Sequence, residues 1–395
     1  MSEFYPPKLN PVFVRLCQSV VPLVGYWQYR MTLEVSNASL EKIAALQDHR
    51  MLLLCNHPTY HDWIAVFLLS ARLGEVFHYL AAIERFKGSE GRFLQTLGAY
   101  SIRRGLADRS SVAQTLELLM QPQCRLVIFP EGGCSFQNDT VMPFRAGAVQ
   151  MAFQAMSKLV KRGEPLPDLY TVPVTLKYRY TGDMNRVIDE TLSRLEKALQ
   201  ISEKSSNFYD RLRAVAERVL VGFEQDYGLK TPEITIFPWN DRIQRLKTQV
   251  LQECEQKLGM TAAPGEPMRE RVYRIQHLLE SREESVRDDF WTDEAIHKAT
   301  ARLLNFDAIY DGYVAADPTP ERFLETLIRL EREVFGIGQP PPKGDRKVII
   351  RVGEPVNLKD YFERYQQNRS ETVNTLVAQV RQDMQSLLDR AAGNN

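Results

Sequence analysis

Apolar positions in residues 31–180 fall in short blocks that alternate between two periods. "MTLEV" (31–35) and "RMLLLC" (50–55) read as strands, and "DWIAVFLLSARLG" (62–74) as a helix ended by Gly74. "FHYLAA" (77–82) is another strand, "RSSVAQTLELLM" (109–120) a helix, and "RLVIFP" (125–130) a buried strand. "GAVQMAFQAMSKLV" (147–160) then reads as a helix and "LYTVPVTLKYRY" (169–180) as a long strand. Short strands alternating with helices predict an α/β layered domain.

The texture changes after Tyr180. Tyr209, Leu212, Val215, Val219, Leu220, Phe223 and Tyr227 recur at helical spacing, as do Ile243, Leu246, Val250, Cys254 and Leu258, and later Val272, Ile275 and Leu279. "GQPPPKGDR" punctuates this helical stretch. "KVIIRVGEPVNL" (347–358) restores strand character, and a last amphipathic helix carries Val373, Leu376, Val377, Val380, Met384, Leu387 and Leu388. The simplest organisation is an apolar N-terminal helical segment (1–30) and a first α/β part (31–182). A large helical insertion (183–345) and a returning strand with a C-terminal helix (346–395) follow. A separate C-terminal helical domain is the alternative, but it leaves the late β-branched strand unexplained.

Residues 10–30, "NPVFVRLCQSVVPLVGYWQYR", are apolar and aromatic, and Pro22 breaks the pattern. They read either as a helix packed on the domain or as an element that docks on a membrane. No run approaches the roughly 18 apolar residues of a spanning helix, and no signal peptide is recognisable, so a cytoplasmic, membrane-peripheral protein is expected. Fifty Lys and Arg balance fifty Asp and Glu, which gives no support to a nucleic-acid partner. Five scattered cysteines without CxxC spacing read as reduced thiols. "KLVKRG" (158–163) is a small basic patch, either a solvated helix end or a surface for an acidic carrier protein.

The candidate chemistry lies where polar groups interrupt an apolar run. "LLLCNHPTYHDWIAVFLLS" (52–70) sets His57, His61 and Asp62 between two hydrophobic stretches, at a strand-to-helix turn. Buried polar groups must be satisfied there. A bend at this turn brings Asp62 to one imidazole nitrogen of His57, fixing the tautomer and raising the basicity of the other. That dyad suits a general base acting on a hydroxyl. Three other readings stand beside it. They are a structural histidine capping the helix, a buried His with an ordinary Asp partner, and a metal pair of His57 and His61, which Pro58 disfavours and for which no third ligand stands nearby.

Further stretches carry Arg103 and Arg104 in "LGAYSIRRG" (97–105), Glu131 in "IFPEGGCS" (128–135), and Arg145 and Gly147 in "MPFRAGAVQMA" (142–152). Taken in order with "NHPTYHD" and "TVPVTLKY", they resemble the glycerolipid acyltransferase family, whose best-known members are the lysophosphatidic acid and glycerol-3-phosphate acyltransferases. Asn56, His57 and Asp62 match its first motif, and Gly98, Ile102 and Arg104 its second. Phe129, Pro130, Glu131, Gly132 and Ser135 match its third, with Phe144, Arg145 and Gly147 downstream. Val172, Pro173 and Val174 match its fourth.

The resemblance implies an α/β layered domain with a mixed, largely parallel sheet. It also implies an O-acyltransferase of phospholipid or glycerolipid biosynthesis that moves an acyl group from acyl-CoA or acyl carrier protein to a lipid hydroxyl. His57 and Asp62 are then catalytic. Glu131, Gly132, Gly133, Ser135, Arg103, Arg104 and Arg145 bind substrate, and neither a metal nor a cofactor beyond the co-substrate is called for. His61 occupies a free position of the His-x4-Asp spacing and reads as structural or acceptor-facing.

The Thr-Arg of the third motif is Gly133-Cys134 here, so the arginine usually assigned to an acceptor phosphate is missing. The acceptor is then either phosphorylated and held by Arg103, Arg104 and Arg145, or neutral. A non-catalytic lipid-binding protein on the same fold and a zinc hydrolase built on His57 and His61 are the rival functions.

Overall fold

A computed structural model describes residues 4–202, 205–229, 237–263, 265–281, 291–307 and 310–392. The chain divides into two compact units. One comprises Met1–Arg103, Ala107–Thr181 and Asp345–Asn395; the other comprises Arg104–Leu106 and Gly182–Gly344.

The first unit is built on one sheet. Its strands are β1 (Met31–Val35), β2 (Arg50–Cys55), β3 (His78–Ala82), β4 (Ala99–Ile102), β5 (Arg125–Ile128), β6 (Leu169–Tyr180), β7 (Arg346–Val352) and β8 (Val356–Asn357). They lie in the order β1-β7-β6-β2-β5-β3-β4, with β8 also on β6. The β6-β2-β5-β3-β4 run is parallel throughout, β7 and β8 run antiparallel to β6, and β1 runs parallel to β7. The sheet is therefore mixed and mostly parallel, as expected of the α/β class.

Helices cover both faces, because β2 is apolar on both sides. Leu52 and Leu54 join a core with α5 (Arg109–Met120), α6 (Gly147–Lys161) and the C-terminal helix α15 (Arg369–Ala392). Met51, Leu53 and Cys55 point the other way, toward α1 (Pro11–Tyr29), α2 (Asn37–Ala44) and α3 (Asp62–Leu73). The short helices α4 (Gly88–Thr96) and α14 (Phe362–Gln367) complete the unit.

Two prolines sit where the fold tolerates them. Pro173 lies within β6, and its carbonyl accepts from Gly353 N in the gap between β7 and β8. Its missing N–H faces that same gap, where no ladder partner is lost. Pro22 does not break α1, contrary to the sequence expectation. An interior proline costs about 3 kcal/mol. Against that cost, Val14 and Val21 are buried on α3 and Gln18 Nε2 donates to Ser70 Oγ and to the Glu75 carbonyl. Gly25 faces Leu68 on the same buried side of α1, where a Cβ would stand 3.4 Å from that side chain, at ordinary van der Waals contact.

The second unit is helical. Its helices are α7 (Asn185–Ala198), α8 (Phe208–Asp226), α9 (Trp239–Lys257), α10 (Met268–Ser281), α11 (Asp293–Phe306), α12 (Tyr313–Ala316) and α13 (Pro320–Phe335). Apolar faces carrying Leu212, Val215, Val250, Ile275 and Leu327 are buried. Buried arginines add register: Arg211 pairs with Glu196 at 2.7 Å and Arg242 with Glu224 at 2.7 Å.

Candidate active site

The site forms at the C-terminal end of β2, where an open parallel sheet places its functional loops. Asn56 continues the strand with its side chain. Its amide donates to the Leu176 carbonyl at 3.0 Å and its oxygen accepts from Leu176 N at 2.7 Å. Asn138 repeats the arrangement two residues along β6, on Tyr178 N and O. Both asparagines are fully buried and act as surrogate ladder residues, so the loop that follows each is pinned to β6.

His57 comes next. Its Nδ1 lies 2.6 Å from Asp62 Oδ2, and the Asp62 side chain is completely buried at the first position of α3. The remaining valences of the carboxylate are filled. Thr59 N donates to Oδ2 at 2.9 Å, Thr59 Oγ1 to Oδ1 at 2.8 Å, and the Tyr178 hydroxyl to Oδ1 at 2.7 Å. Burial and the neighbouring Asp62 charge push the Tyr178 pKa well up, so the phenol stays a donor. With Nδ1 bonded to a carboxylate, Nε2 is the nitrogen left for chemistry.

The third-motif loop clasps His57 by its backbone. Glu131, almost fully buried, accepts from His57 N at 3.3 Å. Ser135 N donates to the His57 carbonyl at 2.8 Å, and Ser135 Oγ reaches the same oxygen at 3.3 Å. Phe129 packs its ring on the imidazole with centroids 4.5 Å apart. Between these tethers Cys134 Sγ stands 3.5 Å from His57 Nε2 and 3.7 Å from Nδ1. Burial alone lowers the His57 pKa, but the neighbouring Cys134 sulfur and the Asp62 carboxylate together raise it well above the ordinary imidazole value.

Gly132 is required in this loop. It has φ +73, and a Cβ there would lie 2.3 Å from Arg145 Cζ, so the guanidinium packs directly on the turn. Gly132 N donates to the Phe129 carbonyl and Arg145 N to the Pro130 carbonyl, which closes the loop on itself. Phe136 follows with φ +52, a costly conformation for a phenylalanine, and packs edge-on against Tyr60.

His57, Asp62, Glu131, Gly132, Ser135 and Arg145 are thus drawn into one connected cluster, with Gly133 in the turn between Gly132 and Cys134. The arginine pair is oriented differently. Arg103 N donates to Asp108 and its guanidinium lies 3.5 Å from the same carboxylate. Arg104 belongs to the helical unit, where it donates to the Tyr273 hydroxyl and stacks on that ring at 4.2 Å.

His61 faces another way again. Arg346 Nη2 meets its Nδ1 at 3.0 Å, and burial followed by that charge lowers its pKa to about 4. A cation at that nitrogen opposes a metal ion shared with His57. Among the described residues no group of three or more His, Cys, Asp or Glu is arranged to hold a metal.

Sequence reasoning left out four contributors: Tyr178, Thr59, Asn138 and the proximity of Cys134 to His57. Of these Thr59 carried a signal, since Thr-x-x-Asp before a helix has the spacing of a capping box. The chemistry available is a histidine held in one tautomer by a buried carboxylate, next to a thiol, a carboxylate and an arginine-backed glycine turn. No curated protein matches this sequence. Residues 34–177 match the family model Acyltransferase, which supports the resemblance read from the sequence for this part of the chain.

Proposed function

We propose that this protein transfers a fatty acyl group from a thioester donor, acyl-CoA or acyl carrier protein, to a hydroxyl of a glycerolipid or related lipid. The observation that carries the reading is the 2.6 Å contact between His57 Nδ1 and the buried Asp62. His57 Nε2 takes the proton of the acceptor hydroxyl, and Asp62 stabilises the imidazolium that forms. We assign Glu131 to acceptor hydroxyls, and the Gly132-Gly133 turn with Arg145 to the developing oxyanion or an acceptor phosphate. No cofactor is needed beyond the thioester, which is already activated.

Lipid acceptors reside in bilayers, and no helix among the described residues is long and apolar enough to cross one. Peripheral attachment at the cytoplasmic face through α1 fits the reading, because Val12, Leu16, Leu23 and Trp27 project outward along it. The decisive assay crosses acyl-CoA and acyl carrier protein donors against glycerol 3-phosphate, lysophosphatidic acid and diacylglycerol with the purified full chain. His57→Ala is expected to remain folded and to lose about 10²–10⁴ in rate. More than half of wild-type turnover in that variant removes His57 from the role. Donor binding without transfer to any acceptor favours a non-catalytic lipid-binding protein instead.

A further inference from the structure

Arg346 reaches the His57–Asp62 dyad from a strand to which neither member belongs. It lies opposite Tyr180 in the antiparallel β6–β7 ladder and opposite Met31 in the parallel β1–β7 ladder, and its N–H donates to the Arg30 carbonyl at 2.9 Å. Tyr178 is two residues from Tyr180, so it projects from the same face of the sheet and is the diagonal neighbour of Arg346, a separation that long and aromatic side chains span. The guanidinium carbon accordingly stands 4.7 Å from the Tyr178 ring centroid, within the range of a cation–π contact. Tyr178 is itself fixed, since Asn138 bonds both its N–H and its carbonyl. Arg346 Nη2 meets His61 Nδ1 at 3.0 Å, and Tyr29 backs the His61 ring at 5.0 Å.

The ring that Arg346 covers carries the hydroxyl that donates to Asp62 Oδ1 at 2.7 Å, while Asp62 Oδ2 holds His57 Nδ1 at 2.6 Å. A cation over the face of a phenol draws electron density from its oxygen and makes the hydroxyl a stronger donor. Burial and the Asp62 charge hold the proton on Tyr178, and the Arg346 charge acts against both. A carboxylate that receives a stronger bond on one oxygen offers less charge to an imidazolium on the other. Loss of Arg346 therefore leaves Asp62 freer to favour protonated His57, which is the wrong form for a base. The other groups around the dyad act from elsewhere. Cys134 and Glu131 face His57 from the third-motif loop, Arg145 packs behind Gly132, and Arg85 acts on His61.

We infer that Arg346 is a positioning residue of the transfer reaction: it holds the Tyr178 hydroxyl on Asp62 and, through that carboxylate, sets how readily His57 gives up its proton. This inference rests on the reading of His57 as the general base. Arg346 touches neither the reacting hydroxyl nor the imidazole of His57; it tunes the pH at which that base becomes competent. It follows His61 by 285 positions, so the strand that returns late in the chain completes the support of the dyad.

The test separates tuning from support. The full chain and its variants Arg346→Met, Arg346→Lys, Tyr178→Phe, His61→Gln and the double variant Arg346→Met/Tyr178→Phe are assayed across pH for transfer from palmitoyl-CoA to lysophosphatidic acid. His57 is titrated in each by histidine NMR. The acid limb of kcat/KM reports the essential base of the free enzyme. In Arg346→Met that limb and the His57 titration are expected to move up together by about half a pH unit or more, with the high-pH plateau kept within a few fold. Arg346→Lys, which keeps a cation, should move both less far. Tyr178→Phe should move them in the same direction, and adding Arg346→Met to it should shift them little further, because the hydroxyl through which Arg346 acts is gone. His61→Gln should leave the limb in place.

A limb and a titration that stay in place in Arg346→Met, with only the urea midpoint lowered, make Arg346 structural and overturn the inference while the acyltransferase reading stands. Additive shifts in the double variant overturn the route through Tyr178. A His61→Gln shift as large as that of Arg346→Met moves the route to His61 and also overturns it. Should Arg346→Met fail to fold, Arg346→Lys with and without Tyr178→Phe carries the same comparison. No transfer to lysophosphatidic acid or diacylglycerol, with the His57 titration moving as expected, sustains the tuning of His57 and overturns the acyltransferase reading. Neither transfer nor movement of the titration overturns both.

Discussion

The Tyr178 hydroxyl donates to Asp62 Oδ1 at 2.7 Å while His57 Nδ1 occupies Oδ2 at 2.6 Å, so one buried carboxylate joins strand β6 to the imidazole. Tyr178→Phe removes one hydrogen bond to a charged acceptor and leaves the dyad intact. It is expected to cost about 1.5–3 kcal/mol of stability, read from urea unfolding, with turnover kept within a few fold. Asp62→Asn should behave in the opposite way, staying folded while losing most turnover, because an amide cannot stabilise the imidazolium or hold the tautomer. Comparable activity losses in the two variants would remove the distinction between support and catalysis.

The pH dependence of His57 follows from its neighbours. Burial disfavours the charged ring, but the Cys134 sulfur and the carboxylate of Asp62 favour it more, so the folded-state pKa is raised. Stability from this group is complete below the unfolded value of about 6.5 and is lost as pH rises through the raised value. Transfer to a hydroxyl requires the neutral ring, so turnover should climb with pH across the same window. Histidine NMR should place the His57 titration above that of a free imidazole in the wild type. In Cys134→Ala the titration should move down, because a neighbour that favours the imidazolium is gone. An unchanged titration would separate the thiol from the ring electrostatically.

His61 carries the opposite sign. Burial and then the Arg346 charge depress its pKa to about 4, so it is neutral at physiological pH and accepts from Arg346. The unfolded chain binds this proton more readily. Its contribution to stability is therefore complete above about 6.5 and is lost as pH falls toward 4. Arg346→Met should raise the His61 titration and soften the acid-side loss of stability. His61→Gln, which keeps an acceptor for Arg346, should retain far more turnover than His57→Ala. Equal losses would make both imidazoles chemical participants.

Some of this was legible in the sequence and some was not. Strand β6 could be read from end to end because its residues 169–180 are β-rich and buried on both faces. Helix α3 could be read because its apolar run stops at Gly74, which takes the left-handed conformation at its C-terminus. Helix α2 spans eight residues and buries Ser39 and Ile43 alone, too few to leave a periodic signature. The path of α1 through Pro22 was hidden because its partner face, on α3, lies far along the chain.

The same division holds at the site. His57 and Asp62 are five residues apart, so a single turn explains their meeting. Tyr178 reaches Asp62 across 116 positions, and nothing in a strand read for its apolar content singles out one hydroxyl. Cys134 meets His57 through backbone tethers from Glu131 and Ser135, which no residue pattern announces.

Helix α1 tests where the protein works. Its inner face is buried through Val14, Gln18, Val21 and Gly25. Val12, Leu16, Val20, Leu23 and Trp27 follow one another at spacings of three or four residues on the outer face, and Trp27 is 77 % exposed. Phe93, also exposed, extends the patch through its edge contact with Phe13. A stripe of this kind is more than a scatter of surface apolar residues. Transfer of a large apolar side chain out of water contributes about 1.5–3 kcal/mol when complete. Replacing Leu16, Leu23 and Trp27 together by Glu leaves the buried face untouched, so the fold and the acylation of a water-soluble acceptor should be unchanged. Binding to vesicles of phosphatidylglycerol and phosphatidylcholine, read by sedimentation, should fall at least tenfold, and transfer to bilayer-resident acceptors should fall with it. Full sedimentation of the triple variant would move the membrane contact to another surface.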